Sequence, residues 1–256
     1  MVKRMDVHHH PKLPHGEKKH IKEYFLEFLM IFLAVTLGFF AEKIGENITE
    51  SKREKMYVRN LVDDLQKDTT ELQAALYRSK KRSLYLDTLM QYLETDLQNV
   101  QNRERIYHFS LDALLKGATS PLHHEASYTE IVNSGSLGLY AYNHVSDSIM
   151  VYQDLKILEA TKAVTVDNNR RNAVEIAGEI MNFHDAESLT NPGYLAKLSA
   201  CNGCLRIYGN PEKINKFSNS LIAYKYALDD YAAFLPLQLD EAKKVIAFLQ
   251  KEYDLP

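Results

Sequence analysis

The chain predicts an all-α protein in which an N-terminal transmembrane helix precedes a long-helix antiparallel bundle. Three observations carry this expectation. Residues 24–41 form an apolar run whose one charge is Glu27. Positions 46–116 contain neither glycine nor proline, so nothing there interrupts a helix. Beyond the apolar run, apolar residues recur in steps of four and three, the signature of a helix with one buried stripe.

Residues 1–23 read as a flexible cytoplasmic tail. They carry Lys3, Arg4, Lys12, Lys18, Lys19 and Lys22, together with His8, His9, His10, His15 and His20 and two prolines. Histidines without a packed shell of further ligands do not define a metal site. Residues 24–41 follow as the span. At about 1.5 Å per residue, the run is near the short end of what crosses a hydrocarbon core of about 30 Å. A buried helix of a soluble protein is the alternative. Gly38-Phe39-Phe40-Ala41 puts bulky rings where a signal peptidase requires small side chains, so the anchor is expected to stay uncleaved. Six Lys/Arg precede the span; Lys43, Lys52, Arg53, Lys55 and Arg59 follow it. This small excess favours a cytoplasmic N-terminus in the inner (plasma) membrane, with the domain of residues 42–256 on the periplasmic side.

Within the span, Glu27, Ile31, Ala34, Gly38, Ala41, Gly45 and Ile48 share one helix face. The Ala34, Gly38 and Ala41 seam has the small-residue spacing that lets helices approach closely in lipid, which predicts self-association. Glu27 faces a partner or water, or sits at headgroup level.

The bundle helices follow in order. Val58, Val62, Leu65, Thr69, Leu72, Leu76, Ser79, Ser83, Leu86, Met90, Leu93, Leu97 and Val100 continue the rhythm as one long helix or a helix pair. The polar cluster 78–83 is the one place for a break. Such a stripe reads as bundle core, with a freestanding coiled coil as the lesser alternative. A middle helix begins near Asn143 and buries Ile149, Tyr152 and Leu155, then Ala173, Ile176, Ile180 and Phe183. The last helix has Asn210 as N-cap, Pro211 at its first position and Glu212 against the dipole. Ile214, Phe217, Leu221, Tyr224, Leu228, Tyr231 and Leu235 form its stripe. Pro236 should kink or break it before Ala242, Val245 and Leu249 resume.

Little in the chain points to chemistry. A formal charge of −3 with interspersed signs offers no basic face for nucleic acid. Phosphate loops, nucleophile elbows and paired-carboxylate signatures are missing. Cys201 and Cys204 flank an Asn-Gly turn, with no second CxxC to complete a zinc site and no βαβ setting for a thioredoxin-like centre. In an oxidising compartment a disulfide is the favoured state, ahead of two unlinked thiols. His123 and His124 are adjacent, and neighbours on one element point in different directions. They read as a loop-to-helix junction. No catalytic residue, metal ligand or cofactor is expected.

The segment Tyr128-Thr129-Glu130-Ile131-Val132-Asn133-Ser134-Gly135-Ser136-Leu137-Gly138-Leu139-Tyr140 precedes Asp147, Ile149 and Tyr152. It resembles a motif of uncharacterised single-span membrane proteins of Bacteroidota, whose anchors also place a Glu ahead of the apolar run. The likeness covers most of the chain from about residue 22; the C-terminal third matches only in helical pattern. It implies envelope location and helical architecture, and no activity. Ser134 and Gly135 read as the turn closing a helix, with glycine taking positive φ. The expectation is therefore a membrane-anchored scaffold or sensor domain without catalytic activity, partnered by lipid and by a protein or a second copy. The alternatives are a subunit of an ion-driven or transport complex that uses Glu27, and a redox or metal-dependent enzyme built on Cys201 and Cys204.

Overall fold

A computed structural model describes residues 21–117, 119–134, 143–184 and 205–256. The tail of residues 1–20, Gly135 and the part of its motif that follows it, and the Cys201/Cys204 pair lie outside them. The fold is all-α: α1 (Ile21–Leu93), α2 (Val100–Ser110) running into a π-helical turn (Leu111–Leu115), α3 (Ala126–Asn133), α4 (Asn143–Gly178) and α5 (Pro211–Glu252). Among the described residues the β structure is a single bridge between Met181 and Ile207. The chain divides into two units, residues 1–53 and 54–256.

In the first unit, residues 24–41 are helical and exposed, apart from Leu29 and Thr36, which are half-buried. Its most apolar 18-residue window has a mean hydropathy of 2.1 with none of it buried. A core helix of a soluble protein would be covered; this one is not. By length and composition it is able to span a membrane.

The second unit is built from α1 beyond Arg53, α4 and α5. α1 and α4 each pass from a smaller core (Tyr57, Val58, Leu65; Val145, Ile149, Tyr152) into a larger one (Leu72, Leu86, Leu89; Val166, Ala173, Ile180). α5 runs the opposite way, from Phe217 and Tyr231 in the larger core to Val245 and Leu249 in the smaller. It is therefore antiparallel to both. Since α1 and α4 run parallel, residues 116–134 must carry the chain back along the bundle, and they do so mostly without helix.

Three expectations are corrected here. α1 does not break at 78–83 but runs unbroken to Leu93. Ser79 is fully buried, and Arg82 and Ser83 nearly so. The break comes at 94–99, where Asp96 accepts from Gln98 N (2.9 Å) and Asn99 caps α2 through Gln101 N and Asn102 N. Beyond the break Leu97 is half-buried against the larger core, as the stripe places it, but Val100 is exposed. The stripe's phase is also rotated: Leu61, Asp68, Ala75, Arg82 and Leu89 are buried, whereas Thr69, Leu76 and Met90 are only half-buried. Val58, Val62, Leu65, Leu72, Ser79, Ser83, Leu86 and Leu93 stay buried as the pattern places them, so the buried face is widened and turned toward the preceding positions by less than one residue. Finally, α5 continues through Pro236 to Glu252. Pro236 is exposed while Leu235 and Gln238 beside it are buried, so packing on both sides outweighs one missing amide. The start of α5 is as expected, with Asn210 Oδ1 accepting from Lys213 N at 2.9 Å.

Candidate functional site

Each of the three long helices interrupts its apolar stripe with polar residues in the gap between the two cores. Asp68 on α1 lies between Leu65 and Leu72, Lys156 and Glu159 on α4 between Tyr152 and Val166, and Gln238 on α5 between Leu235 and Ala242. All four are at most 5 % exposed. A layer of charge thus divides the core, and buried charge is tolerated only when paired and hydrogen-bonded.

His123, from the returning segment, supplies much of that pairing. Its Nε2 lies 3.0 Å from Glu159 Oε2, and its Nδ1 lies 3.5 Å from Asp68 Oδ2, off the hydrogen-bonding direction. Asp68 Oδ1 accepts from His124 N (2.8 Å) and meets His124 Nδ1 at 3.0 Å, while Oδ2 accepts from the Tyr152 hydroxyl at 3.0 Å. Tyr231 donates to the other oxygen of Glu159. Lys156 Nζ lies 3.8 Å from Asp68 and 3.2 Å from Glu125, and 5.8 Å from the centre of the Tyr152 ring. Neighbouring histidines were expected to diverge. Instead both reach the same carboxylate, because residues 121–125 have no regular secondary structure and so present no regular face.

The electrostatics follow from the geometry. Burial disfavours the His123 imidazolium and is the largest influence on it, but the Asp68 and Glu159 carboxylates together prevail and raise it to about 8. Burial likewise disfavours ionised Asp68, and the close His123 imidazolium with the hydrogen bonds from His124 overcomes it, so this carboxyl titrates below its ordinary 3.8. Burial, with the carboxylates beside them, pushes the Tyr152 and Tyr231 phenols far up, so both remain donors. Two buried carboxylates therefore face one imidazolium and one ammonium. A histidine held charged between carboxylates has already taken its proton and is a poor general base near neutrality. The arrangement works as an electrostatic latch on the returning segment.

The latch is one rung of a longer ladder. Along α1, Arg82 Nη2 donates to the carbonyls of Lys116 and Gly117 (2.7 Å each), Arg78 Nη2 to Ser120 O (3.1 Å). Asp68 then takes His124 N, and Asp64 takes Ser127 N (3.2 Å) and Ser127 Oγ (2.6 Å). As numbers fall along α1 they rise along the segment, which is an antiparallel strap whose backbone is satisfied by side chains rather than by a helix or sheet. Asp64 also serves α3, whose own N-cap residue Glu125 makes no side-chain capping bond. This accounts for the two arginines of the 78–83 cluster: Arg78 and Arg82 close the backbone of the strap, while Lys80 and Lys81 are exposed.

Of the residues singled out from sequence, Glu27, Ala34, Gly38 and Ala41 lie on α1 in the first unit, and a Cβ added at Gly38 would meet nothing within 4 Å. Ser134 ends α3 with its Oγ donating to Ile131 O at 3.0 Å. Asp68, Lys156, Glu159 and Arg82 were missed. The available signal was rhythm: on α4 the steps 145, 149, 152, 156, 159, 163, 166 pass through two charged residues without losing phase. The fold is thus an all-α one carrying, among the described residues, a single helix long and apolar enough to span a membrane, near the N-terminus. No protein-family model matches the chain, nor does any curated protein or solved structure.

Proposed function

We propose that this chain is a membrane-anchored helical interaction domain of the cell envelope, acting as a scaffold or sensor and performing no chemistry of its own. Its N-terminus lies in the cytoplasm and the domain on the periplasmic side. The observation that carries this reading is the contrast between residues 24–41, apolar and uncovered, and a bundle with a filled core. An exposed helix this apolar is stable only in lipid or against a partner. A second feature supports a partner for the bundle: Met150, Ile157 and Val164, seven residues apart on α4, are all exposed, with Val151 and Leu158 beside them. Single exposed apolar residues are ordinary, but a heptad-spaced row is the pattern of a helix that meets another. The resemblance of the anchor and of the Tyr128–Tyr140 segment to single-span envelope proteins fits the same reading.

Alkaline carbonate washing tests the anchor. The full chain should stay with the membrane pellet, whereas a version beginning near Ser51 should be soluble. Release of the full chain by carbonate would end this proposal.

A further inference from the structure

Between the strap, α1 and α4 lies a cavity of about 430 Å³ that the latch does not use, within the range of small-molecule sites. Arg82, Arg170 and Arg171 line it together with Asp167, so three guanidiniums face one carboxylate and two positive charges are left over. Arg82 is 8 % exposed; one of its terminal nitrogens holds the strap carbonyls, and no carboxylate pairs with it among the described residues. Asp167 holds the other two arginines in place, bonding Arg170 at 2.7 and 3.1 Å and Arg171 at 2.7 Å. Arg170 is further fixed by Leu114 O at 2.9 Å. Thr119 adds a hydroxyl: it is 6 % exposed, lines the cavity, and has no hydrogen-bond partner among the described residues. Val164, 60 % exposed, gives the wall an apolar part.

We propose that this cavity binds a small dianion on a short apolar body, either a phosphate monoester or a dicarboxylate. Planar guanidiniums with fixed orientation match both oxyanions in two-pronged fashion. A neutral ligand would bring no charge to set against the excess of the three arginines over Asp167, and a monoanion would offset only part of it. The concave shape and modest volume fit a small molecule better than a flat protein surface. This site deepens the sensor reading by giving it a ligand class. Its failure would be distinguishable, because retention on carbonate washing does not depend on the cavity.

The test is isothermal titration calorimetry on the full chain in a non-ionic detergent, at constant ionic strength set with sodium chloride. The probes are phenyl phosphate, succinate and inorganic phosphate, with phenol as the neutral control. At least one organic dianion should bind with a dissociation constant of about 1 mM or tighter, and phenol should not. Whichever dianion binds more tightly assigns the class. Val164→Asp, a change on an exposed wall that leaves the strap bonds intact, should weaken binding about tenfold or more, while Val164→Asn should stay within about threefold. Arg171→Gln, whose side chain is exposed and bonds only Asp167, should weaken binding in the same direction. Absence of heat from every dianion at about 10 mM would overturn the proposal. So would equal binding by Val164→Asp and Val164→Asn, or binding of inorganic phosphate alone, which would mark an adventitious ion only.

Discussion

Raising the pH from 6 to 8.5 should loosen the bundle through one residue, His123. The imidazolium is held by Asp68 from α1 and Glu159 from α4, against the opposing Lys156 ammonium. Tyr152, Tyr231 and His124 also bond to these two carboxylates, and Glu125 faces Lys156. Its folded value of about 8 lies above the ordinary 6.5. The charged form is therefore favoured by folding: the stabilisation is complete below 6.5 and is lost as the pH rises through 8. Moving an imidazolium from 6.5 to about 8 corresponds to about 2 kcal/mol. No large discount for solvent applies, since the side chain is 16 % exposed. For a domain of this size that amounts to a fall in Tm of roughly 4–8 °C. Thermal unfolding of the full chain in mild detergent, followed by far-ultraviolet circular dichroism at pH 6 and pH 8.5, measures it. His123→Gln should start lower at pH 6 and show a nearly flat profile. A flat profile in the parent, or an equal fall in the variant, would refute the reasoning.

Asp68→Ala should cost about 3–5 kcal/mol in urea unfolding at pH 7, because it takes the acceptor from His124 N and the buried Tyr152 hydroxyl and leaves His123 and Lys156 with one neighbouring carboxylate fewer inside the core. Pro236→Ala should stabilise by up to about 3 kcal/mol, since the helix already continues through this exposed position and regains an amide donor; a lower urea midpoint would contradict it. Gly38→Ile should weaken crosslinking between chains in the membrane while Phe39→Ile should not, because the space around Gly38 within its own chain is open and any clash must come from another helix. Equal crosslinking by the two would remove the seam argument.

The long helices were legible because their signals are local. Absence of glycine and proline over 46–116, the Asn210-Pro211-Glu212 start of α5, and the four-three rhythms of Ile214–Leu235 and Ala242–Leu249 depend only on neighbours along the chain. The same holds for the apolar run 24–41, whose length and composition need no tertiary partner to be read. The charge layer was not legible in this way. Asp68 and Arg82 occupy buried positions on α1 that an apolar count assigns to the surface, and what makes them tolerable there lies 34 to 88 residues away, on the strap and on α4. Hydrophobic periodicity reports which face is apolar; it does not report which polar groups will find partners. Only the tertiary fold, by sending residues 116–134 back along α1 without a helix of their own for most of that length, created the unpaired backbone groups that Arg78, Arg82, Asp64 and Asp68 satisfy. A helix end or a turn is decided within a few residues by local hydrogen bonding, whereas burying a charge is decided by whether its partner arrives, and that depends on the path of the whole chain.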